Sequence, residues 1–149
     1  MSRKHEIEVL GRGVLVKSGQ LLVCHSKGKP HTYLPGGHVE FNEKARVALE
    51  REMMEEMGLK MRATAFLGGV EHSFMQKSRL HCEINLVFEM TCRDLKVDAH
   101  PPSMEDYIEF QWLPLATLAR SNLEPYPLKR LIPAWLARKP GVEMWSGTY

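Results

Sequence analysis

A chain of 149 residues is long enough for one domain with a substantial core and short for two, so a single domain spanning 1–149 is expected. With 44% hydrophobic and 26% charged residues the composition is that of a folded globular protein, which excludes a disordered or low-complexity chain. A net charge of +2 is too small to build the concentrated basic face that nucleic acid or an anionic membrane selects, so neither is expected as a partner.

Met1 to Leu10 is polar and charged, and no stretch approaches the roughly 18 apolar residues of a membrane span, which makes the cytoplasm the expected location. Val14 to Val16 and Leu21 to Val23 are apolar runs joined through Lys17-Ser18-Gly19-Gln20, the pattern of a hairpin of buried strands. The three cysteines, Cys24, Cys82 and Cys92, contain no C-x-x-C pair and read as buried, reduced thiols. After a basic loop, Lys27 to His31, the segment Tyr33-Leu34-Pro35-Gly36-Gly37 cannot be helical and reads as a short strand entering a turn. From Glu43 to Met57 there is no Gly or Pro, and Ala45, Leu49, Met53 and Met57 recur every four positions, which predicts a helix with Asn42 as N-cap and Gly58 as C-cap. Leu80 to Met90 alternates as a strand with one buried face, Tyr107 to Leu113 is a further strand, and Leu128 to Ala137 a second helix that Pro133 can shorten or kink. Strands on both sides of a helix with hairpin connections predict an α+β fold.

The chemistry concentrates in Gly37 to Leu59, GHVEFNEKARVALEREMMEEMGL. On a helix, Glu52, Glu55 and Glu56 fall within about one third of the circumference, beside the apolar stripe. Three like charges on one patch repel one another, and hard carboxylate oxygens select Mg²⁺, Mn²⁺ or Ca²⁺ over zinc. A solvated acidic helix face would share the carboxylates but gives no reason for Gly37, Glu43 and Arg51 at their spacings. Those positions fit G-x5-E-x7-R-E-U-x-E-E-x-G-U, with U a bulky apolar residue, and the stretch resembles the Nudix box throughout.

That resemblance implies an α/β/α sandwich around a mixed β-sheet and a pyrophosphohydrolase dependent on Mg²⁺, with Mn²⁺ as the alternative. It implies that Gly37 offers its carbonyl to a metal, that Glu55 and Glu56 are ligands, and that Glu52 binds metal and in some members activates water. Arg51 would orient the carboxylates together with Glu43. Two departures are local: Asn42 replaces a common glycine, a place where Asn tolerates positive φ, and Tyr33 stands where many relatives have tryptophan.

Members often add a carboxylate from a late loop, for which Glu105 and Asp106 are the candidates as ligand or general base, an ordinary loop role being equally open; Glu109 reads as a surface charge at a strand end. Lys27, Lys29 and His31 are candidates for holding phosphates, Lys77 and Arg79 sit in a strand connection, and His81, Glu83 and Asn85 share a polar strand face that could border a substrate pocket. His5, His25, His38, His72 and His100 show no ligand spacing. The expected reaction is hydrolysis of a nucleoside diphosphate linked to another moiety; a nucleoside triphosphate pyrophosphatase shares every catalytic residue, and a ligand-sensing module on the same fold would not need the intact carboxylate set. The expected partner is a small nucleotide, and a homodimer is compatible with the sequence.

Overall fold

The computed structural model describes residues 5–148. Its strands are β1 (Ile7–Val14), β2 (Val16–Lys17), β3 (Gln20–Ser26), β4 (Thr32–Tyr33), β5 (Gly36–His38), β6 (Arg62–Gln76), β7 (Arg79–Thr91), β8 (Ile108–Pro114), β9 (Leu123–Glu124) and β10 (Trp145–Gly147). Two α-helices, α1 (Ala45–Met57) and α2 (Leu128–Leu136), and a 3-10 helix, Leu115–Arg120, complete the elements. The predicted hairpin forms at β2–β3, with Ser18 (φ 49°) and Gly19 (φ 72°) both left-handed, as a two-residue turn that matches strand twist requires.

One sheet runs β10-β6-β7-β1-β5 and is mixed: β1 is parallel to β7 and β10 to β6, while β5 and β6–β7 pair antiparallel. The other runs β2-β3-β4-β9, with β8 along β3. Strand alternation distributes side chains between two cores. Leu22 and Cys24 of β3 with Phe88 and Met90 of β7 pack against Leu49, Met53 and Met57 of α1. Leu21 and Val23, with Val14 and Val87, pack against Leu128, Leu131, Ile132 and Trp135 of α2. The sheets therefore lie between a helix on each side, an α/β/α sandwich of the α+β class, in which each fully buried aliphatic side chain contributes about 1.5–3 kcal/mol. No helix is long and apolar enough to cross a membrane among the described residues.

Several boundaries differ from those predicted. α1 begins at Ala45 and not at Glu43, and its N-cap is Lys44, extended and without a side-chain cap bond. Asn42 does not cap: it takes φ 60° at the corner of a tight turn in which Glu43 N–H donates to Glu40 O (3.1 Å) and the Glu43 carboxylate accepts Glu40 N–H (3.1 Å). Gly58 is left-handed (φ 67°) and donates its N–H to Met54 O, as expected of a C-cap. β7 does not have one buried face, because Asn85 and Val87 are buried on the side opposite Phe88 and Met90. α2 runs through Pro133, whose ring is exposed. β1 upstream of Val14 and the whole of β6 were not anticipated.

Candidate active site

Helix α1 lies directly on the backbone of β1. A Cβ on Gly11 would come 2.8 Å from Ala45 O, so a larger residue there would lift the helix. This contact places the face carrying Glu52, Glu55 and Glu56 beside β5. A Cβ on Gly37 would come 2.4 Å from Glu52 Cδ, so the glycine backbone and that carboxylate occupy adjoining space.

Arg51 organises the carboxylates. Its Nε donates to Glu43 Oε2 (2.8 Å) and its Nη2 to Glu43 Oε1 (2.9 Å), a two-pronged pairing, while Nη1 donates to Glu52 Oε1 (3.0 Å) and more loosely to Glu55 (3.3 Å). Nη2 also reaches the carbonyl of His38, the residue after Gly37, tying α1 to β5. The Arg51 hydrogen bonds, followed by the Glu40 N–H, hold Glu43 down at about 2, and Arg51 itself is raised chiefly by Glu43.

Among the described residues, Glu56 has no such arginine fork. Burial, then the negative charge of Glu52, pushes it up to about 7, with Glu105 and Glu55 adding to the effect and Arg12 opposing it. The late loop closes on the same place: Met104 N–H donates to Glu56 O, and Glu105 lies near enough to repel Glu56 and to raise Tyr107. Asp106 is exposed, and Glu109 pairs with His25 (3.2 Å) on the strand surface.

Next to this cluster is a cavity of about 700 Å³. Arg12 links the two. From β1 it lies over the Tyr33 ring (5.4 Å), donates to Leu34 O (3.1 Å) and to Asn85 Oδ1 (3.3 Å), lines the cavity and is felt at Glu56. Asn85, 1% exposed, is fixed by donating to Val70 O (3.3 Å). Of the predicted substrate residues, Lys29, His31 and Glu83 line the cavity; Lys27 does not, although its N–H donates to Tyr107 O, and Lys77 and Arg79 lie at the β6–β7 turn and are not part of the lining. His81 is also outside the lining and stacks on Phe74 (5.1 Å between centroids). Two contributors were missed: Arg12, which belongs to no motif, and His72, which shows no ligand spacing, is lowered mainly by burial and lines the cavity from β6.

Carboxylates of Glu52, Glu55 and Glu56 with the Gly37 backbone beside them form an all-oxygen donor set whose chemistry suits a hard divalent cation, and such a cation would favour the charged form of Glu56, which burial and then the Glu52 charge oppose. Among the described residues no three His, Cys, Asp or Glu side chains already form a metal cage. The Arg51 guanidinium lies between Glu52 and Glu55, and a Mg²⁺ site completed by water and substrate phosphates does not need a closed cage.

A helix-borne carboxylate set clamped by arginine stands at the edge of a mixed sheet and beside a cavity of about 700 Å³. The NUDIX domain matches residues 8–135, and the chain belongs to that family, a family of pyrophosphohydrolases. Its fold is similar to the MutT protein from Methanosarcina mazei Go1 (20% identity, TM-score 0.67, covering 92% of this chain and 98% of that one). It is also similar to a UDP-X diphosphatase (18%, TM-score 0.68, 97% and 69%) and to the E. coli ORF135 protein (19%, TM-score 0.64, 92% and 96%).

Proposed function

We propose that this Nudix hydrolase cleaves the diphosphate linkage of a nucleoside diphosphate joined to a second moiety, with Mg²⁺, or Mn²⁺ in its place, held by Glu52, Glu55, Glu56 and the Gly37 carbonyl. The observation that carries the reading is Arg12, which lines the cavity and is felt at Glu56 of the carboxylate cluster, and to which we assign the phosphates of a bound nucleotide. A divalent cation bound there neutralises phosphate charge and makes water easier to deprotonate.

The chain's own groups do the rest. Arg51 holds Glu52 and Glu55 in place through its Glu43 anchor and is a positioning residue. Glu52, beside Gly37, accepts the proton of the attacking water, with Glu105 as the alternative base across the cluster. Arg12 receives the phosphate nearest the cavity, and Lys29 and His31 stand at the same cavity for the remaining negative charge. A protein described as a UDP-X diphosphatase has a similar fold, so the fold accommodates this class of substrate. Incubation with nucleoside diphosphate sugars, dinucleotides and triphosphates in Mg²⁺ tests it: a nucleoside monophosphate plus the phosphorylated second moiety is expected, and turnover confined to triphosphates would overturn it.

A further inference from the structure

The cavity wall formed by β6 and β7 contains polar groups that the cleavage reaction does not use. His72 and Glu83 are directly opposite each other in the β6–β7 pairing, and both line the cavity. The C-terminal segment fixes the histidine. β10 runs parallel to β6, and Thr148 Oγ1 accepts Ser73 N–H (3.2 Å) and lies 3.2 Å from His72 Nδ1. Thr148 Oγ1 thus engages Nδ1, and Nε2 is the ring nitrogen without a partner among the described residues. Phe74 stacks on the His72 ring (5.0 Å, 26°) and holds its plane.

Glu83 offers the complementary function. Asn85 Nδ2 approaches one of its oxygens at 3.5 Å, at the limit of a hydrogen bond, so the carboxylate retains accepting capacity on both oxygens. The wall therefore presents an open imidazole nitrogen beside a two-oxygen acceptor. With the phosphates at Arg12, the nucleoside is the part of the substrate that reaches this wall.

We infer that this cavity selects guanine, with His72 Nε2–H donating to O6 and the Glu83 carboxylate accepting N1–H and N2–H₂. The inference rests on the nucleotide-hydrolase reading and adds the base. Guanine presents acceptor, donor, donor in sequence along its pairing edge. Adenine and cytosine each have one amino donor beside a ring lone pair, and uracil one N–H between two carbonyl oxygens, so each can satisfy only one oxygen of the carboxylate where guanine satisfies both. An unpaired polar group facing a mismatched edge is the usual source of strong discrimination, on the order of tenfold to a hundredfold for one bidentate contact.

Calorimetric titration of the full chain with GDP, ADP, UDP and CDP in EDTA reads base choice without turnover. GDP should bind at least about tenfold tighter than the others. Glu83→Gln, which replaces one acceptor oxygen with a donor, should bring GDP to the level of ADP and leave ADP unchanged, with the melting temperature confirming the fold. His72→Phe, which keeps a stacking ring on Phe74, should weaken GDP selectively. Equal affinity for the four bases, or an equal loss for all of them in Glu83→Gln, as a ribose contact would give, overturns the assignment. Selective GDP binding by a chain that cleaves no diphosphate would leave the base assignment standing and defeat the catalytic reading; base-blind cleavage would do the reverse.

Discussion

Arg51 gives two of its nitrogens to Glu43 in a fork and turns the third toward Glu52 and Glu55. Lysine carries its three donors on a single nitrogen, so it can keep either the anchor or the carboxylates, not both. Arg51→Lys should therefore lower kcat at least about tenfold and weaken Mg²⁺ activation. A raised KM at unchanged kcat would instead mean that the arginine touches substrate. Glu56 behaves differently, because its carboxyl is raised to about 7 by burial and then by Glu52. Without metal, the folded chain keeps that proton where the unfolded chain has lost it above about 4.5, so the folded state binds more protons across this window and stability falls as pH rises from about 4.5 to about 7. Glu43, held down to about 2, has the opposite sign: its stabilisation is complete above about 4.5 and is lost only as pH falls through about 2. Thermal melts in EDTA should show the decline with rising pH, and Glu56→Gln should flatten it; a wild-type midpoint that rises across the window would contradict the assignment. The same variant should remove most metal-dependent turnover.

At the scale of elements, the turn into α1 depends on two glycines for different reasons. Gly36 has φ 142°, and a Cβ there would lie 1.9 Å from Gly11 O, a backbone atom that cannot yield without breaking the β1–β5 pairing. The Cβ of an alanine at Gly37 would meet the Glu52 side chain, which can rotate away. Gly36→Ala should thus cost several kcal/mol and compromise folding, whereas Gly37→Ala should melt within about 1 kcal/mol of the parent while losing activity, because Glu52 is displaced. Equal melting temperatures for the two variants would contradict this distinction. The elements carrying this machinery were the legible ones. α1 announces itself through the Ala45, Leu49, Met53, Met57 repeat and Gly58, and the spacing of Glu43, Arg51 and the three glutamates reports one face of that helix. Its start was not legible, since Asn42 suits a cap and a positive-φ corner equally and only the Glu40–Glu43 turn decides. β6 was hidden because Gly68-Gly69 interrupts its apolar pattern, and its pairing with β7 shifts register between Ala63 and Gly68. Arg12 and His72 were not legible for a further reason: their roles arise from long-range pairing, Arg12 with Asn85 and His72 with Thr148, and no local spacing encodes either.

Over the whole molecule, the strands that separate the two cores also bring the site together. Within β1, Gly11 lets α1 approach from one side while Arg12, the next residue, lines the cavity. The strand alternation that builds the sandwich is thus what sets the carboxylate cluster and the cavity side by side. The proposed chemistry is tested most directly by phosphorus NMR of a reaction containing GDP-, ADP- and UDP-linked sugars with Mg²⁺. The account predicts conversion to nucleoside monophosphate and sugar phosphate, abolished by EDTA and by Glu56→Gln, whereas diphosphates that stay intact with both Mg²⁺ and Mn²⁺ would contradict it.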